Sequence, residues 1–284
     1  MVGQVSRPTA AGWSEHQPGQ AGTKPACPQP FWGSWPRLKP PDRTLETPGT
    51  RCQLSPAVNF VTLVGVISPL IEDYLKAIYY LQEDAEVVTT SALAERLGVA
   101  SPSVTLMLQK LASHRPKLVQ YERRGGASLT PAGRKIALEV VRHHRLIELY
   151  LAEELNYPWD EVHAEAEKLE HVISENLEDR MAERLGAPLT DPHGDPIPTK
   201  KGAVARPSRL TLSDLEVGQA ARVTRVRDDD PALLRYLTEL GIRLQTRVVV
   251  TERPPFDGPL QVTIGKHSHA LNKNVTDRVF VELV

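Results

Sequence analysis

The 284-residue sequence predicts a mainly α-helical protein with a β-rich end: a winged helix-turn-helix, then a helical domain, then a small β-barrel. Three observations predict this fold class. Between residues 68 and 185, apolar residues recur at spacings of three and four, which is typical of amphipathic helices. Two short β-rich runs flank the pair Gly125-Gly126, which predicts a hairpin, and β-rich runs dominate from residue 209 onward.

The first 67 residues show no helical or strand period. They hold ten of the 24 prolines and three of the four tryptophans. Such a composition predicts a disordered Pro/Gly-rich extension over residues 1–67. We hypothesise that this extension is not part of the native product, whose start is then expected near Val64 or Val66.

Residues 68–136 carry the pattern of a winged helix-turn-helix. Helical periodicity covers residues 68–81, 90–97 and 101–113, and Gly98 stands at the end of the second helix like a C-cap. Short strands are predicted at residues 118–121 and 127–130, joined by a basic, glycine-rich tip. A third helix followed by a basic hairpin is the arrangement that reads DNA in winged-helix proteins.

The front of the third helix carries short polar side chains, while Val104, Leu108 and Leu111 face inward. Eight basic and two acidic residues between positions 89 and 136 give this module a net charge of +6. The module is therefore expected to bind an anionic partner, and double-stranded DNA fits. The alternative is a small helical domain with a merely solvated basic face. The residues predicted to bind DNA are Ser101, Pro102, Ser103, Thr105, Arg123 and Arg124.

A helical domain is predicted over residues 137–186. A long helix begins at Thr130-Pro131 and continues to residue 155, and further helices are predicted at residues 159–171 and 174–185. Thirteen acidic and five basic residues give residues 137–186 a net charge of −8, which favours a cationic partner. Residues 187–208 form a Pro/Gly-rich linker to a β-rich domain at residues 209–284.

Histidine and glutamate side chains form a stripe in this acidic domain. His163, Glu167, Glu170 and His171 fall within an arc of roughly 100° on one helix face. The preceding helix carries an i, i+4 pair, His144 and Glu148, and two helices joined by a short turn bring such stripes together. Imidazole and carboxylate donors suit Mn²⁺, Fe²⁺, Zn²⁺ or Co²⁺. The alternative is a solvated acidic face with incidental histidines.

The bulk composition narrows the class of protein. The two cysteines, Cys27 and Cys52, lie outside the part that is predicted to fold, so a disulfide scaffold is not expected. The longest apolar run, residues 57–67, is too short to span a bilayer. We expect a cytoplasmic protein with no membrane partner.

Several runs of the chain are distinctive in type and order. They are Glu72-Asp73-Tyr74-Leu75, Arg142-His143-His144-Arg145-Leu146, Pro158-Trp159-Asp160-Glu161-Val162-His163-Ala164-Glu165-Ala166, Glu170-His171, and Asp191-Pro192-His193-Gly194-Asp195-Pro196-Ile197-Pro198. Together they resemble the DtxR/MntR family of metal-dependent transcriptional regulators. The resemblance is close over residues 69–194 and looser over the C-terminal domain, where it implies an SH3-like (FeoA-like) barrel.

The resemblance implies two metal sites. It implies a primary site formed by Asp73, Glu167, Glu170 and His171. It implies an ancillary site formed by His144, Glu148 and His163, completed from the C-terminal domain by Asp230, whose usual partner aligns with Leu233.

The resemblance also bears on the choice of metal. Asp73 and Glu167 sit where iron-type members have methionine and cysteine, so Mn²⁺ is expected as cofactor, with Fe²⁺ as the second choice. Lys76 stands where manganese-type members often have a glutamate of a binuclear centre, so two separated sites are expected.

The implied function is a homodimeric repressor of manganese or iron uptake genes, not an enzyme, that binds a palindromic operator with metal as corepressor. Metal held between the two domains would set the distance between paired recognition helices. Two alternatives stay open. One is a metal-independent winged-helix regulator that answers a small molecule. The other is a metal-dependent hydrolase, which has no His-Glu-x-x-His run to support it.

Overall fold

The computed structural model describes residues 67–227, 230–256 and 258–284. The extension predicted over the first 67 residues lies outside the described residues, apart from Ile67. Eight helices and seven strands are found in the described chain. No helix among the described residues combines the length and the apolar character that crossing a membrane requires.

Three helices and a hairpin form the first domain. These elements are α1 Pro69–Leu81, α2 Thr90–Leu97, α3 Ser101–Ser113, β1 Val119–Glu122 and β2 Gly126–Leu129. Thr89 caps α2 by accepting a hydrogen bond from the backbone N–H of Ala92, and Gly98 ends it in the left-handed conformation, at φ 64°. The strands pair antiparallel with Val119 opposite Leu129. The predicted winged helix-turn-helix elements are therefore confirmed, with each strand shifted by one residue.

Helix α4, Pro131–Leu155, connects this domain with the next without a break. The Thr130 hydroxyl accepts a hydrogen bond from the Gly133 backbone at its start, and Asn156, at φ 57°, ends it. Its first half packs into the core of the first domain, through residues that include Leu138, whereas Ile147 packs on the following helices. Because 25 helical residues span about 37 Å, α4 passes through both domains as one continuous helix.

Helices α5 Val162–Leu169 and α6 Glu175–Arg184 complete the helical domain. Helix α5 is shorter than predicted at both ends. At its start, the Trp159 carbonyl accepts a hydrogen bond from the His193 imidazole at 2.7 Å instead of one from a following helical N–H. At its end, Glu170 and His171 fall in the turn before α6, outside the helix.

The C-terminal domain is a five-stranded antiparallel sheet with two helices. Its strands run in the order β6-β5-β4-β3-β7. The elements are β3 Ala220–Val226, α7 Pro231–Glu239, β4 Arg247–Glu252, β5 Leu260–Ile264, β6 His267–Leu271, α8 Lys273–Thr276 and β7 Val279–Leu283. The sequence predicts β-rich runs at residues 220–226, 247–251, 260–264 and 279–284 and a helix at residues 231–240, which correspond to β3, β4, β5, β7 and α7. It does not predict β6 or α8. The β6 segment, HSHAL, contains no β-branched or aromatic residue, which explains the omission.

The C-terminal domain is docked on the helical domain through buried contacts. Trp159 belongs to the apolar core of the C-terminal domain, and its indole N–H donates to the Thr238 hydroxyl at 2.8 Å. The backbone N–H of Val226 donates to the His193 carbonyl at 2.8 Å. Next to it, Gly194 has φ +92°, and a Cβ added there would lie 2.1 Å from the Thr224 carbonyl oxygen. The contact therefore requires glycine at this position.

We predict that Gly194→Ala destabilises the docked C-terminal domain. The new Cβ meets backbone, which must move, at an expected cost of about 1–3 kcal/mol beyond the conformational strain of a positive φ. Gly186→Ala is the matched control, because Gly186 also has a positive φ (+72°) but no atom within 4 Å of its added Cβ. Thermal unfolding and limited proteolysis of the linker measure the difference. Equal losses in the two variants would contradict the docking assignment.

Candidate metal centre and DNA-binding surface

One cluster of possible ligands joins α1 to the turn between α5 and α6. It consists of Asp73, Glu170 and His171, and we call it the primary cluster. The His171 Nε2 lies 2.9 Å from Asp73 Oδ1 and 3.3 Å from Glu170 Oε1. Because Asp73 belongs to the DNA-binding domain and the other two to the helical domain, this cluster spans the domain boundary.

Glu72 orients the histidine of the primary cluster. Its Oε2 accepts a hydrogen bond from His171 Nδ1 at 2.5 Å. A metal-binding histidine commonly donates its second N–H to a carboxylate, which fixes the ring and leaves the other nitrogen for the metal. In the sequence, Glu72 belongs to one of the runs that carry the family resemblance, but no role was assigned to it. Helical spacing alone does not show that two adjacent acids, Glu72 and Asp73, contact the same histidine ring.

A second cluster lies deeper, between α4 and α5. It consists of His144, Glu148 and His163, and we call it the ancillary cluster. Glu148 Oε1 lies 2.9 Å from His144 Nε2 and 3.1 Å from His163 Nδ1. Burial alone would raise the pKa of Glu148, but the charge of His144 and the hydrogen bonds from both histidines outweigh it and lower that pKa. This carboxylate is therefore ionised at neutral pH although it is fully buried.

Asp191 and His193 reach the same buried carboxylate from the loop that follows α6. His193 Nδ1 lies 3.9 Å from Glu148 Oε2, and together with Asp191 they form a further group of possible ligands. Sequence reasoning quoted both residues within the Asp-Pro-His-Gly run but did not assign them a function. Only the chain fold brings a loop more than 40 residues away onto α4.

Glu167 and Asp230 lie apart from the clusters to which sequence analysis assigned them. Glu167 stays on α5, with its side chain 57% exposed and its Oε1 3.5 Å from His163 Nε2. The hydrogen bond from His163, opposed by burial and helped by Lys76, lowers the pKa of Glu167 to about 2. Asp230 caps α7 by accepting from the Ala232 N–H at 2.9 Å and contacts Arg278 at 3.4 Å. Neither residue is in the primary or the ancillary cluster of the described chain.

The Glu170 carboxylate connects the two clusters. Its Oε1 faces His171, and its Oε2 is hydrogen-bonded to His144 Nδ1. Lys76 of α1 donates to both oxygens, at 2.7 and 2.8 Å. Burial would raise the pKa of Glu170, but these hydrogen bonds and charges lower it. Glu170 is therefore a buried anion that already holds cationic or protonated partners.

His143 contacts the backbone of Glu170 and the side chain of Glu178. Its Nδ1 lies 3.1 Å from the Glu170 backbone oxygen and its Nε2 3.2 Å from Glu178 Oε2. Both partners only accept hydrogen bonds, so the ring must carry two protons when both contacts are made. Arg142 also bonds to Glu178. His143 and Glu178, which with Glu175 form a further group of possible ligands, are thus already paired in a structural ion-pair network.

The donor chemistry of the clusters fits a divalent first-row metal. All donors are imidazole nitrogens and carboxylate oxygens, and both cysteines of the chain lie outside the described residues. Glu148 Oε2 has no hydrogen-bond partner in the described structure although the residue is fully buried. An unsatisfied carboxylate oxygen of this kind is costly unless a cation binds it. Such a set favours Mn²⁺ or Fe²⁺ over metals that prefer thiolate.

The helix-turn-helix presents the predicted polar face to solvent. Ser101, Pro102 and Ser103 at the start of α3 are exposed, whereas Val104 and Leu108 are fully buried. Thr105 is half-buried, and its hydroxyl donates to the Ser101 carbonyl at 3.1 Å. Pro102 has no backbone N–H, and the N–H groups of Ser103 and Val104 donate to the Ala100 carbonyl. The start of α3 therefore offers its exposed side chains and the positive end of its helix dipole to a phosphate.

The wing lies beside the start of α3. Ser101, Arg123 and Arg124 line one cleft, together with the capped start of α2 at Thr89–Ser91. Two arginines next to two helix N-termini form a surface suited to the DNA backbone.

Three family models match the chain in the order of its domains. The DNA-binding domain of iron-dependent repressors matches residues 67–127, their metal-binding and dimerisation domain residues 130–199, and the FeoA domain residues 210–283. These matches agree with the predicted fold class: a winged helix-turn-helix, a helical dimerisation and metal-binding domain, and an SH3-like domain. That fold class is confirmed.

Individual relatives match over most of their length. The chain is 32% identical to the iron-dependent repressor IdeR of Mycobacterium leprae over 225 residues, which are 75% of this chain and 96% of the relative. It is 30% identical to the diphtheria toxin repressor of Corynebacterium glutamicum over 224 residues, with the same coverage.

Solved structures show the same likeness. A manganese-dependent transcriptional repressor in complex with manganese is 40% identical, with a TM-score of 0.70, over 75% of this chain and all of that one. ScaR with bound Cd²⁺ is 30% identical, with a TM-score of 0.66, over 75% of this chain and 99% of that one. The resemblance noted in the sequence is confirmed: the chain belongs to the iron-dependent repressor family, the DtxR/MntR family of metal-dependent transcriptional regulators.

Proposed function

We propose that the protein is a metal-dependent transcriptional repressor of manganese or iron uptake genes, with Mn²⁺ or Fe²⁺ as corepressor. One observation carries the proposal: Asp73 of the DNA-binding domain lies 2.9 Å from His171 of the helical domain, beside the buried Glu170. Donors from two domains that meet at hydrogen-bond distance form a site whose metal occupancy depends on the relative position of the domains. The relative position of the domains depends in turn on whether the metal is bound.

The primary site is proposed to consist of Asp73, Glu170 and His171, with Glu167 as a fourth ligand. A bound cation supplies positive charge that neutralises these acids and bonds to the imidazole. Glu72 keeps the His171 ring in place, and Asp73 then ties α1 to the turn after α5. Glu167 reaches this site only if its exposed side chain turns away from His163.

The ancillary site is proposed to consist of His144, Glu148 and His163. Asp191 and His193 stand beside it and offer further donors toward the buried Glu148. Since Asp230 caps α7 in this structure, a role for it as the donor from the C-terminal domain would require that cap to open.

Manganese is proposed as the preferred metal. Asp73 offers an oxygen, and no sulfur donor stands in either cluster of the described chain. Hard oxygen and imidazole ligands suit Mn²⁺, with Fe²⁺ next. Relatives named for iron and solved structures named for manganese both occur, so metal selectivity is open to a direct competition measurement.

The DNA-binding form is proposed to be a homodimer that acts in the cytoplasm on a palindromic operator. Half-sites on one DNA face are separated by about 34 Å, so paired α3 helices must keep that spacing. Asp73 and His171, when tied together, fix α1 and with it α3. The residues proposed to contact DNA are Ser101, Pro102, Ser103, Thr105, Arg123 and Arg124.

We predict that Asp73→Ala abolishes the metal response without unfolding the protein. The Asp73 side chain is 44% exposed, so its removal leaves the core intact. Operator binding with Mn²⁺ should weaken at least about 100-fold, as expected when a metal ligand or its support is lost. Fluorescence anisotropy with Mn²⁺ and with a chelator measures this.

Glu165→Ala removes one acid from α5 but touches neither cluster, and it should behave like the unmodified protein. Operator binding that is equally tight with chelator would support the metal-independent regulator instead. An unchanged manganese response in Asp73→Ala would disprove the assignment of the primary site.

We predict that Arg123→Ala combined with Arg124→Ala weakens DNA binding at every sequence and lowers its salt dependence. Each phosphate contact contributes about 0.9 to the slope of log K against log salt, so the loss of two arginines from each of two protomers should lower the slope by about 3.6. Arg180→Ala combined with Arg206→Ala is the charge-matched control, because both side chains are exposed and lie outside the wing. Affinity measured between low and moderate salt tests this, and an unchanged slope would exclude the wing from the DNA interface.

A further inference from the structure

Lys76 brings a positive charge into the candidate metal centre. It lies on α1 and is only 9% exposed. Its ammonium nitrogen lies 2.7 and 2.8 Å from the two Glu170 oxygens, 3.4 Å from His144 Nδ1 and 4.0 Å from Glu167 Oε1. All three neighbours belong to the proposed ligand sets, so the ammonium stands between the primary and ancillary clusters.

The acceptor capacity of Glu170 is already filled. A carboxylate offers about four lone-pair directions. Lys76 uses two of them, His144 uses one at Oε2, and His171 faces Oε1 at 3.3 Å. A metal ion that binds Glu170 must therefore replace one of these contacts.

Lys76 differs from the other partners of Glu170 in kind. An imidazole ring has nitrogen atoms that can bond to a metal through a lone pair, so His144 and His171 can change from competitor to ligand. A protonated lysine has three N–H donors and no lone pair, so it cannot become a ligand. It either leaves Glu170 or repels a divalent ion nearby, because like charges at short range in a buried site interact strongly.

We propose that Lys76 is an internal cation that competes with the metal for Glu170 and thereby sets the metal affinity. In the metal-free protein it neutralises the buried carboxylate and holds α1 against the turn after α5. Metal binding must overcome that ion pair, which raises the metal concentration at which the site fills. This inference rests on the proposed function, since it concerns the same site.

The alternative role for Lys76 is to hold Glu170 ready for the metal. The two roles give opposite results on substitution. Loss of a competitor tightens metal binding and destabilises the metal-free protein, whose buried Glu170 loses its counter-charge. Loss of a supporting residue weakens both metal binding and the metal-free fold.

The test measures Mn²⁺ binding to the full-length protein by isothermal titration calorimetry, and thermal unfolding of the metal-free form. Lys76→Met removes the charge and the donors, whereas Lys76→Gln removes the charge but keeps a donor toward Glu170. Lys168→Met is the matched control, because the exposed Lys168 side chain pairs with Glu165, which belongs to neither cluster.

Both Lys76 variants are expected to bind Mn²⁺ at least about tenfold more tightly, which corresponds to about 1.4 kcal/mol. Their metal-free forms should unfold at lower temperature, and Lys168→Met should change neither quantity. If Lys76→Met does not fold, Lys76→Gln carries the test. Weaker or unchanged Mn²⁺ affinity would overturn the proposal. Absence of Mn²⁺ binding by the unmodified protein would instead overturn the proposed function.

Discussion

The contact between Asp73 and His171 is the interaction on which the rest of the structure depends. Helix α4 runs unbroken from the core of the first domain into the second, so it fixes one side of the domain boundary. The other side is closed by α1 and the turn after α5, where the contact is made of ionisable groups and not of apolar surface. A boundary closed by charge responds to a cation, whereas one closed by apolar packing would not.

Burial explains why this centre suits a switch. Glu148, Glu170 and His144 are almost inaccessible to water, and charges so placed destabilise a fold unless they are paired. In the metal-free chain, contacts with histidine rings and with Lys76 do the pairing. A divalent ion can replace these partners, so the same acids are satisfied in two arrangements. Two satisfied arrangements of one set of ligands are what a population shift between states requires.

Much of the fold could be predicted from the sequence because its signals are local. Gly98 and Thr130-Pro131 mark helix ends by backbone and side-chain chemistry, and α2 ends and α4 begins where these residues predict. The pair His144 and Glu148 follows from helical spacing in the same way. The end of α5 could not be predicted, because its last turn is replaced by contacts of Glu170 and His171 with α1. Loop residues such as His193 reach the centre only through tertiary structure. Helical spacing placed Glu167 on the same helix face as His163, but it could not show that the Glu167 carboxylate contacts that ring.

The docked C-terminal domain extends the same network. His193 contacts Glu148 on one side and supports Trp159, which is buried in the β-sheet domain, on the other. The central claim is that metal held between the domains sets the spacing of two recognition helices. The most direct measurement places spin labels at Gln109→Cys on α3 of both protomers, after Cys27 and Cys52 are replaced by serine. The distance distribution is then measured by pulsed electron resonance with Mn²⁺ and with chelator. The account predicts one narrow distribution with Mn²⁺ and a shifted or broader one without it, and identical distributions would contradict it.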